Sequence, residues 1–379
     1  MRRWWPVLLG GVLLLIVALV VVVVVRRSGP GPQVELPAAT QPPAASFYQV
    51  LFTTPQRTGT PAPGSPGRLD ERLVALIDGT ARTIDMAIYD LDLENVGEAL
   101  VRAAGRGVRV RVVTDTDNLD EKGMQRVRKA NIPVVDDKRG AIMHHKFAVL
   151  DGEIVVTGSW NFAERDTYRH NNNTVIFRSP DMARTFTGEF EKMFTGHAFG
   201  PTKPKEIVGG VIEAGGTRIE TWFASERDPV PAIVERINGA SSSVLFMAFS
   251  FTQDDIGRAI EARAGAGVPV WGVIETTGAD GPGGEYGRLS KLHPRGSPPC
   301  PGLAVPPAAV LKDGNPYLMH HKVIVLDGRT VIFGSFNFTA SAEKDNDEAL
   351  LIVDDPAMAA QFTGEFCRVQ AVAAQKASK

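Results

Sequence analysis

Two stretches of the 379-residue chain decide its fold: MHHKFAVLDGEIVVTGSWNF at residues 143–162 and MHHKVIVLDGRTVIFGSFNF at residues 319–338. Each begins with a His-His-Lys string, runs through apolar residues to an Asp-Gly pair, and returns through a second apolar run to a Gly-Ser-x-Asn string. An Asp-Gly pair between apolar runs is typical of a two-residue hairpin turn, because both turn positions need positive φ. The chain therefore carries the same predicted β-hairpin twice.

Side chains along each predicted strand alternate between the two faces of the sheet. His144 and Lys146 therefore share a face, and His145 points away from them, so the tandem histidines are not a chelating pair. With the turn at the Asp-Gly pair, the predicted register sets His144 opposite Ser159, and Ser159 and Asn161 return to the face of His144. The second hairpin repeats the pattern with His320, Lys322, Ser335 and Asn337.

This set of side chains suits phosphoryl chemistry. A neutral imidazole is a competent nucleophile at phosphorus, and an imidazolium can give a proton to a leaving alkoxide. Lysine offers positive charge to the non-bridging oxygens, and the hydroxyl and amide groups add neutral donors. Carboxylates do not cluster with the histidines, so the pattern predicts no metal site. Asp151 and Asp327 occupy turn positions, which favours a structural role at least as much as a chemical one.

The duplication extends upstream of the hairpins. Residues 73–115 and 233–275 align at an offset of 160, and four glycine pairs match at that spacing. Each copy is predicted as helix, strand, helix, strand: in the first copy a helix beginning at residues 73–77, a strand at residues 83–88, a helix at residues 96–104 and a strand at residues 108–113. Alternating strands and helices predict an α/β fold with a mostly parallel sheet flanked by helices in each lobe.

The two hairpins are related by an offset of 176, so the second copy contains 16 additional residues. They fall within residues 276–316, which are rich in Gly and Pro and are predicted to form a long loop. Such a loop is either a substrate-binding lid or a tolerated insertion. A shared site is expected where the two lobes meet along a pseudo-two-fold axis.

The strings H-x-K-x4-D and G-S-x-N, each present twice, resemble the phospholipase D superfamily over roughly residues 70–370. The resemblance implies that one motif histidine forms a covalent phosphohistidine, with the N-terminal motif commonly supplying it, so that His144 is the expected nucleophile. The other histidine would act as general acid and then as general base for water, with no metal or other cofactor. The resemblance assigns catalytic roles to His144, Lys146, Asp151, His320, Lys322 and Asp327, and phosphate-binding or orienting roles to Ser159, Asn161, Ser335 and Asn337.

One position departs from the family pattern. Members often carry a glutamate, shortly after the G-S-x-N string, that orients a motif histidine, and Glu348 fits this position. The offset of 176 places Asn172 there in the first copy. Asparagine can accept a hydrogen bond but does not favour an imidazolium. The resemblance therefore implies an asymmetric site, with unequal acid and base roles or with reduced activity.

The N-terminus predicts a membrane anchor. Residues 6–25 are uncharged and mostly apolar, and a helix of this length spans about 30 Å, the thickness of a bilayer core. A cleaved signal peptide is the alternative, but no A-x-A-like site follows closely. The predicted organisation is an anchor at residues 1–27, a Pro- and Gly-rich linker at 28–69 with a candidate strand at 47–52, and lobes at 70–200 and 201–379. The catalytic part is expected outside the cytoplasm.

Composition bears on the substrate. Four of the 41 basic residues flank the apolar run, which leaves 37 basic against 43 acidic residues. Nucleic-acid binders usually have a basic excess, so the expected substrate is a phospholipid whose headgroup ester is hydrolysed. A nuclease, a phosphatidyltransferase resembling cardiolipin synthases and a catalytically silent binding module remain alternatives. The two cysteines, Cys300 and Cys367, permit one disulfide without implying it.

Overall fold

The computed structural model describes residues 47–65, 67–206, 210–296, 300–306 and 308–378. The predicted anchor at residues 1–27 and the linker up to residue 46 lie outside the described residues. Within the described ranges, no helix combines the length and the apolar character needed to cross a membrane.

The described residues form two lobes in which the same elements follow in the same order. The first lobe contains β1 Tyr48–Phe52, α1 Leu69–Gly79, β2 Thr83–Ile88, α2 Glu94–Gly105, β3 Arg109–Thr114, α3 Lys122–Lys129, β4 Val134–Asp136, β5 Lys146–Leu150, β6 Ile154–Gly158, α4 Glu164–Tyr168, β7 Asn173–Arg178 and α5 Pro180–Phe194. The second contains β8 Val211–Ala214, β9 Thr217–Ala224, α6 Val230–Gly239, β10 Val244–Ala248, α7 Asp254–Gly265, β11 Val270–Ile274, α8 Tyr286–Leu289, β12 Val310–Lys312, β13 Lys322–Leu326, β14 Thr330–Gly334, α9 Ala340–Lys344, β15 Glu348–Asp354 and α10 Pro356–Ala377.

Each lobe has one sheet, and the two strand orders correspond. The first sheet runs β1-β7-β6-β5-β2-β3-β4, and the second, read from its other edge, runs β8-β9-β15-β14-β13-β10-β11-β12. The two orders match strand for strand apart from β8, which is added at one edge. The predicted duplication is therefore confirmed. The candidate strand at residues 47–52 is also confirmed as β1, so the first sheet extends N-terminal to the predicted lobe boundary at residue 70.

The prediction of a mostly parallel sheet was wrong. In the first sheet only the β2–β3 and β3–β4 pairs are parallel, and the corresponding pairs of the second sheet are β10–β11 and β11–β12. The remaining pairs are antiparallel. The motif hairpin lies next to β2 in the first sheet and next to β10 in the second, and the chain then continues as an antiparallel meander. Both sheets are mixed, and the parallel βαβ part contains three of the seven strands of the first sheet and three of the eight strands of the second.

The motif hairpins are confirmed, but their predicted register was wrong by one residue. Asp151 and Gly152 have φ values of 54° and 67°, as a turn of this kind needs. Glu153 donates its backbone N–H to the carbonyl of Leu150 at 3.0 Å and has no partner residue in β5, so that Leu150 faces Ile154. The loop therefore contains one residue more than predicted, and Ser159 does not lie opposite His144.

Packing alternates across the first sheet and continues into the second lobe. Ile84 and Met86 of β2 belong to the core under α1 to α3, whereas Ala87 on the opposite face belongs to the core under α5. This second core extends without a break through the second lobe. In it, Phe186 of α5 meets Phe223 of β9 edge to face, with ring centroids 5.4 Å apart. The two lobes therefore share one hydrophobic core, which fixes their relative position.

The predicted long loop at residues 276–316 is partly structured. It contains α8, and it ends in β12, which corresponds to β4 of the first lobe. Cys300 within it forms a disulfide with Cys367 of α10, with the Cα atoms 5.3 Å apart. The additional segment is thereby tied to the C-terminal helix.

Candidate active site

The two motif histidines lie where the lobes exchange backbone hydrogen bonds. The N–H of His144 donates to the carbonyl of Asp347 in the second lobe at 3.0 Å. The N–H of His320 donates to the carbonyl of Asn171 in the first lobe at 2.9 Å. Each histidine is therefore held by the opposite lobe, and both side chains are buried at the interface between the lobes.

The imidazole of His144 is oriented by a carboxylate. Its Nδ1 lies 2.8 Å from both oxygens of Glu348, and Ser335 donates its hydroxyl to Glu348 at 2.6 Å. The serine and glutamate of the second motif thus contact the histidine of the first. With Nδ1 engaged, Nε2 is the ring nitrogen available for reaction.

The imidazole of His320 is oriented by an amide at the equivalent position. Its Nδ1 lies 2.9 Å from Oδ1 of Asn172, which also accepts the hydroxyl of Ser159 at 2.9 Å. Ser159 therefore supports His320, the histidine of the other motif. The predicted shared face had placed Ser159 beside His144 instead. The expected asymmetry between Glu348 and Asn172 is present in the geometry.

Close backbone packing explains the glycine of each G-S-x-N string. A Cβ atom at Gly158 would collide with the carbonyl of Asn173, and one at Gly334 would collide with the carbonyl of Ala349. The adjacent Ser335 uses this proximity: it accepts the N–H of Ala349 at 3.0 Å while its hydroxyl points to Glu348. The glycine thus lets the serine reach the residue that orients the histidine.

The two motif lysines are buried beside the histidines. Lys146 donates to the carbonyl of His144 and Lys322 to that of His320, both at 2.8 Å. The Lys146 ammonium lies 5.1 Å from the centroid of the Tyr89 ring, and the Lys322 ammonium lies 4.6 Å from that of Phe249. Each ammonium therefore keeps donor capacity for an anion, because a lysine has three N–H groups.

Burial sets the ionisation of the site. It lowers the pKa of Lys146 to about 8 and also lowers that of Lys322, with the Lys146 charge adding to the effect. It raises the pKa of Glu348 to about 7. The pKa values of His144 and His320 are lowered by burial first and by the two lysine charges next. The two buried lysines beside the histidines make the site suited to an anionic ligand, and a bound anion would in turn favour the protonated form of a histidine.

The second histidine of each string faces the other side of the strand, as predicted. His145 Nε2 contacts Glu189 of α5 at 2.9 Å, and His321 Nε2 contacts Glu365 of α10 at 2.8 Å. All four side chains are buried. The tandem histidines therefore do not form a chelating pair. Within the described ranges, no group of three or more His, Cys, Asp or Glu side chains is arranged to hold a metal ion.

Asp151 and Asp327 hold backbone N–H groups at the turn ends of the motif hairpins, and their catalytic role stays a prediction. Asp151 accepts the backbone N–H groups of residues 81–83 at 2.6 to 3.0 Å. Asp327 does the same for residues 241–243 at 2.7 to 3.1 Å. Both sit at the turn end of a strand whose other end carries the lysine. Their carboxylates fix the loop before β2 in the first lobe and the loop before β10 in the second.

Asn161 and Asn337 follow the serines in the site. Asn161 donates to Asp166 at 3.2 Å, and Oδ1 of each asparagine is buried without a hydrogen-bond partner within the described residues. Asp166 was not predicted, because it lies outside the motif strings and matches no residue of the family pattern. Aligning the copies at the offset of 176 would have found it, because its counterpart is Ala342.

A known protein family matches both lobes. A family described as "Cardiolipin synthase, PLD-like domain" matches residues 73–194 and 233–370, once in each lobe and over more than half of the chain. This chain belongs to the phospholipase D superfamily. Its two His-x-Lys motifs, His144/Lys146 and His320/Lys322, lie one in each matched segment.

Curated members of the superfamily match parts of the chain. The mitochondrial cardiolipin hydrolase of Homo sapiens is 34% identical over 171 residues, which is 42% of this chain and 66% of that protein. The Mus musculus protein is 33% identical over 162 residues, or 42% and 72%. A phospholipase D of Rickettsia conorii is 32% identical over 112 residues, or 29% and 56%. The chain spans 56% to 66% of the length of the first three relatives it matches.

Solved structures share the two-lobed fold. Phosphatidylserine synthase of Haemophilus influenzae Rd KW20 superposes with a TM-score of 0.59 at 12% identity, covering 86% of both chains. Polyphosphate kinase of Porphyromonas gingivalis gives a TM-score of 0.55 at 15% identity, covering 84% of this chain and 49% of that one. At these identities the likeness shows the fold alone.

Proposed function

We propose that this chain is a phosphodiesterase of the phospholipase D type that hydrolyses the headgroup ester of a phospholipid. The observation that carries the proposal is the reciprocal support of the two histidines. Nδ1 of His144 contacts Glu348, Nδ1 of His320 contacts Asn172, and each contact crosses between the lobes. One site thus contains two imidazoles with Nε2 available, which is what a nucleophile and a proton donor require.

In the first step, Nε2 of His144 forms a bond to phosphorus while the bond from phosphorus to the headgroup oxygen breaks. The leaving alkoxide takes a proton from Nε2 of His320 and departs as the alcohol. The products of this step are a phosphohistidine at residue 144 and a neutral His320. Glu348 stabilises the positive charge that develops on the His144 ring.

In the second step, water attacks the phosphohistidine. His320 takes a proton from the water as its oxygen bonds to phosphorus, and the bond between phosphorus and His144 breaks. The phosphatidyl product leaves, and both histidines return to their starting states. Lys146 and Lys322 offer positive charge to the non-bridging oxygens throughout, so the proposed reaction uses no metal ion.

Three observations favour a phospholipid over nucleic acid. The chain beyond its N-terminal arginines carries more acidic than basic residues, residues 6–25 predict a membrane anchor, and the matched curated relatives are a cardiolipin hydrolase and a phospholipase D. A phosphatidyltransferase is the second candidate, because the description of the matched family names cardiolipin synthase. An alcohol replacing water in the second step would give that reaction with the same residues.

We propose that the chain is a single-pass membrane protein whose catalytic part lies outside the cytoplasm. The predicted anchor favours attachment, and the Cys300–Cys367 disulfide favours an oxidising compartment. In this arrangement the site stays close to a lipid surface, which raises the local concentration of a bilayer substrate.

The test uses the full-length chain with vesicles of labelled phosphatidylcholine, phosphatidylethanolamine, phosphatidylglycerol or cardiolipin, and in parallel with single-stranded DNA. Each lipid reaction is run with and without glycerol as an acceptor alcohol. His144→Ala and His320→Ala are the site variants, and His197→Ala is the control because His197 is exposed. We expect phosphatidic acid or another phosphatidyl product from at least one lipid, loss of turnover in both site variants, and unchanged turnover in the control.

The other outcomes separate the candidates. Cleavage of DNA without cleavage of lipid would identify a nuclease, and a phosphatidylglycerol product formed in preference to phosphatidic acid would identify a transferase. No cleavage of either diester, or full turnover in both site variants, contradicts the proposal.

A further inference from the structure

The carboxylate of Asp166 lies beside His320 at a position where the second lobe has no charge. Asp166 Oδ1 is 3.4 Å from Nδ1 of His320. At the offset of 176 residues that relates the motifs, the counterpart of Asp166 is Ala342, and the counterpart of Glu348 is Asn172. Each lobe thus contributes one carboxylate to the histidine that it supports, but from different positions.

Asn172 connects the carboxylate of Asp166 to the ring. Its Oδ1 faces Nδ1 of His320 at 2.9 Å, and its Nδ2 donates to Oδ1 of Asp166 at 3.2 Å and to the Asp166 carbonyl at 3.0 Å. Asn161 also donates to Oδ1 of Asp166 at 3.2 Å. The side-chain amides of Asn161 and Asn172 therefore hold the buried Asp166 carboxylate beside the ring of His320.

We propose that Asp166 is a positioning residue that supplies His320 with the negative charge that Glu348 supplies to His144. Asn172 then orients the ring of His320. The carboxylate of Asp166 replaces the negative charge that a glutamate at residue 172 would provide. The kinetic consequences rest on the proposed function, whereas the effect of Asp166 on the charge of His320 does not.

The surroundings of His320 make such a charge necessary. Burial lowers the pKa of His320, and the positive charges of Lys322 and Lys146 lower it further. A general acid must hold a proton at the working pH, and a carboxylate within about 4–6 Å of an imidazole favours the protonated form. Asp166 is close enough to act in this way.

Other groups around this carboxylate modify its effect. Nδ1 of His170 lies 3.4 Å from Oδ2 of Asp166. The pKa of Asp90 is raised to about 7 by burial and then by Asp166, so Asp90 is a weaker anion near neutral pH. The titratable groups that face the site are His144, Lys146, His170, His320, Lys322, Asp90, Asp166 and Glu348.

The test compares four forms of the full-length chain with the wild type. Asp166→Asn and Asp166→Ala remove the charge. Asp166→Ala combined with Asn172→Glu gives the first lobe the same pair of residues as the second. Glu164→Gln is the control, because Glu164 is exposed on the same helix and its loss removes the same charge. Thermal unfolding establishes that each form is folded.

The first readout needs no turnover. NMR of histidine-labelled protein follows the His320 ring, assigned by its loss in His320→Asn, as pH is varied with inorganic phosphate present. Phosphate is included because an anion between the lysines offsets the charges that lower the pKa of His320. We expect both single Asp166 variants to lower the pKa of His320, the double variant to return it toward the wild-type value, and Glu164→Gln to leave it unchanged.

The second readout is kcat on the phospholipid that the wild type cleaves. Asp166→Asn should lower kcat about tenfold or more and move the limb of the pH profile that depends on His320 toward lower pH. The double variant should recover much of the loss. A purely structural role would lower the unfolding temperature without moving that limb.

Two results would overturn the inference. One is a His320 pKa in Asp166→Asn equal to that of the wild type. The other is a double variant that behaves like Asp166→Ala in both readouts. If the wild type cleaves no diester, the proposed function fails, and the NMR comparison still decides the role of Asp166.

Discussion

The imidazole of His144 and the carboxylate of Glu348 lie 2.8 Å apart, although 204 residues separate them in the chain. Ser335 holds the same carboxylate at 2.6 Å. The first-lobe histidine therefore depends on a second-lobe carboxylate, and His320 depends in turn on Asn172 of the first lobe. Neither lobe contains a complete site.

Replacing Glu348 by Gln should lower kcat about 100-fold or more, because the amide keeps the shape but cannot stabilise charge on the His144 ring. Steady-state kinetics on the cleaved phospholipid gives the value. Glu213→Gln, an exposed change in the same lobe, should have no effect. A kcat within threefold of the wild type would show that the contact does not assist the reaction.

The rate should have a bell-shaped dependence on pH. Because burial raises the pKa of Glu348 to about 7, its carboxylate gains charge only as pH rises through that value, and activity should fall below it. Because burial lowers the pKa of Lys146 to about 8, its positive charge is lost as pH rises further, and activity should fall above it. These limbs belong to a coupled site that also contains Lys322, His144 and His320.

The measurement is kcat/KM from about pH 5 to pH 10 in buffers of constant ionic strength. Glu348→Gln should lose the acidic limb, because glutamine does not titrate, while the basic limb remains. A profile that is flat across this range, or an acidic limb that persists in Glu348→Gln, is incompatible with this assignment.

Asp151 should matter for stability and not for catalysis. Its carboxylate accepts three backbone N–H groups at the start of β2, so Asp151→Ala should lower the free energy of unfolding by about 1 to 2 kcal/mol. Asp151→Asn should cost less, since asparagine keeps an acceptor and tolerates positive φ. Urea unfolding and kcat are measured on the same samples. A large fall in kcat with unchanged stability would instead support the catalytic role that the family resemblance implies for Asp151.

Chelation should leave activity unchanged. In the proposed reaction two lysines, Lys146 and Lys322, supply the positive charge that a metal ion supplies in other phosphodiesterases. Turnover is measured before and after dialysis against a chelator, with metal content determined in parallel. Inhibition that zinc or calcium reverses would require a different mechanism.

Local pattern was enough to predict several features of the fold. The strand at residues 83–88 was placed with its observed bounds, and alternation separated His144 from His145 correctly. These features depend on spacing within a few residues. The sheet order does not, because periodicity says nothing about which strands become neighbours, and the antiparallel insertion of β5 next to β2 was therefore not predicted.

The contacts that orient His144 and His320 were not predicted either, because they depend on strand neighbours and on contacts between the lobes. Ser159 was expected beside His144, but the additional loop residue Glu153 shifts the register. The serine instead contacts Asn172, which contacts His320. A contact that joins two lobes is absent from any single motif string. Asp166 could have been found from the sequence, because the two copies differ in charge there: its counterpart at the offset of 176 is Ala342. It lies outside the motif strings, however, and was not predicted.

The most direct test of the mechanism uses a phosphodiester whose leaving group is p-nitrophenolate, which departs without a proton. In His320→Asn the attack by His144 should proceed and the attack by water should be slow. We predict a burst of one p-nitrophenolate per protein molecule, with the phosphoryl adduct located on His144 by mass spectrometry of alkaline-quenched peptides. A burst that survives in His144→Ala, an adduct on another residue, or turnover without a burst would contradict the account.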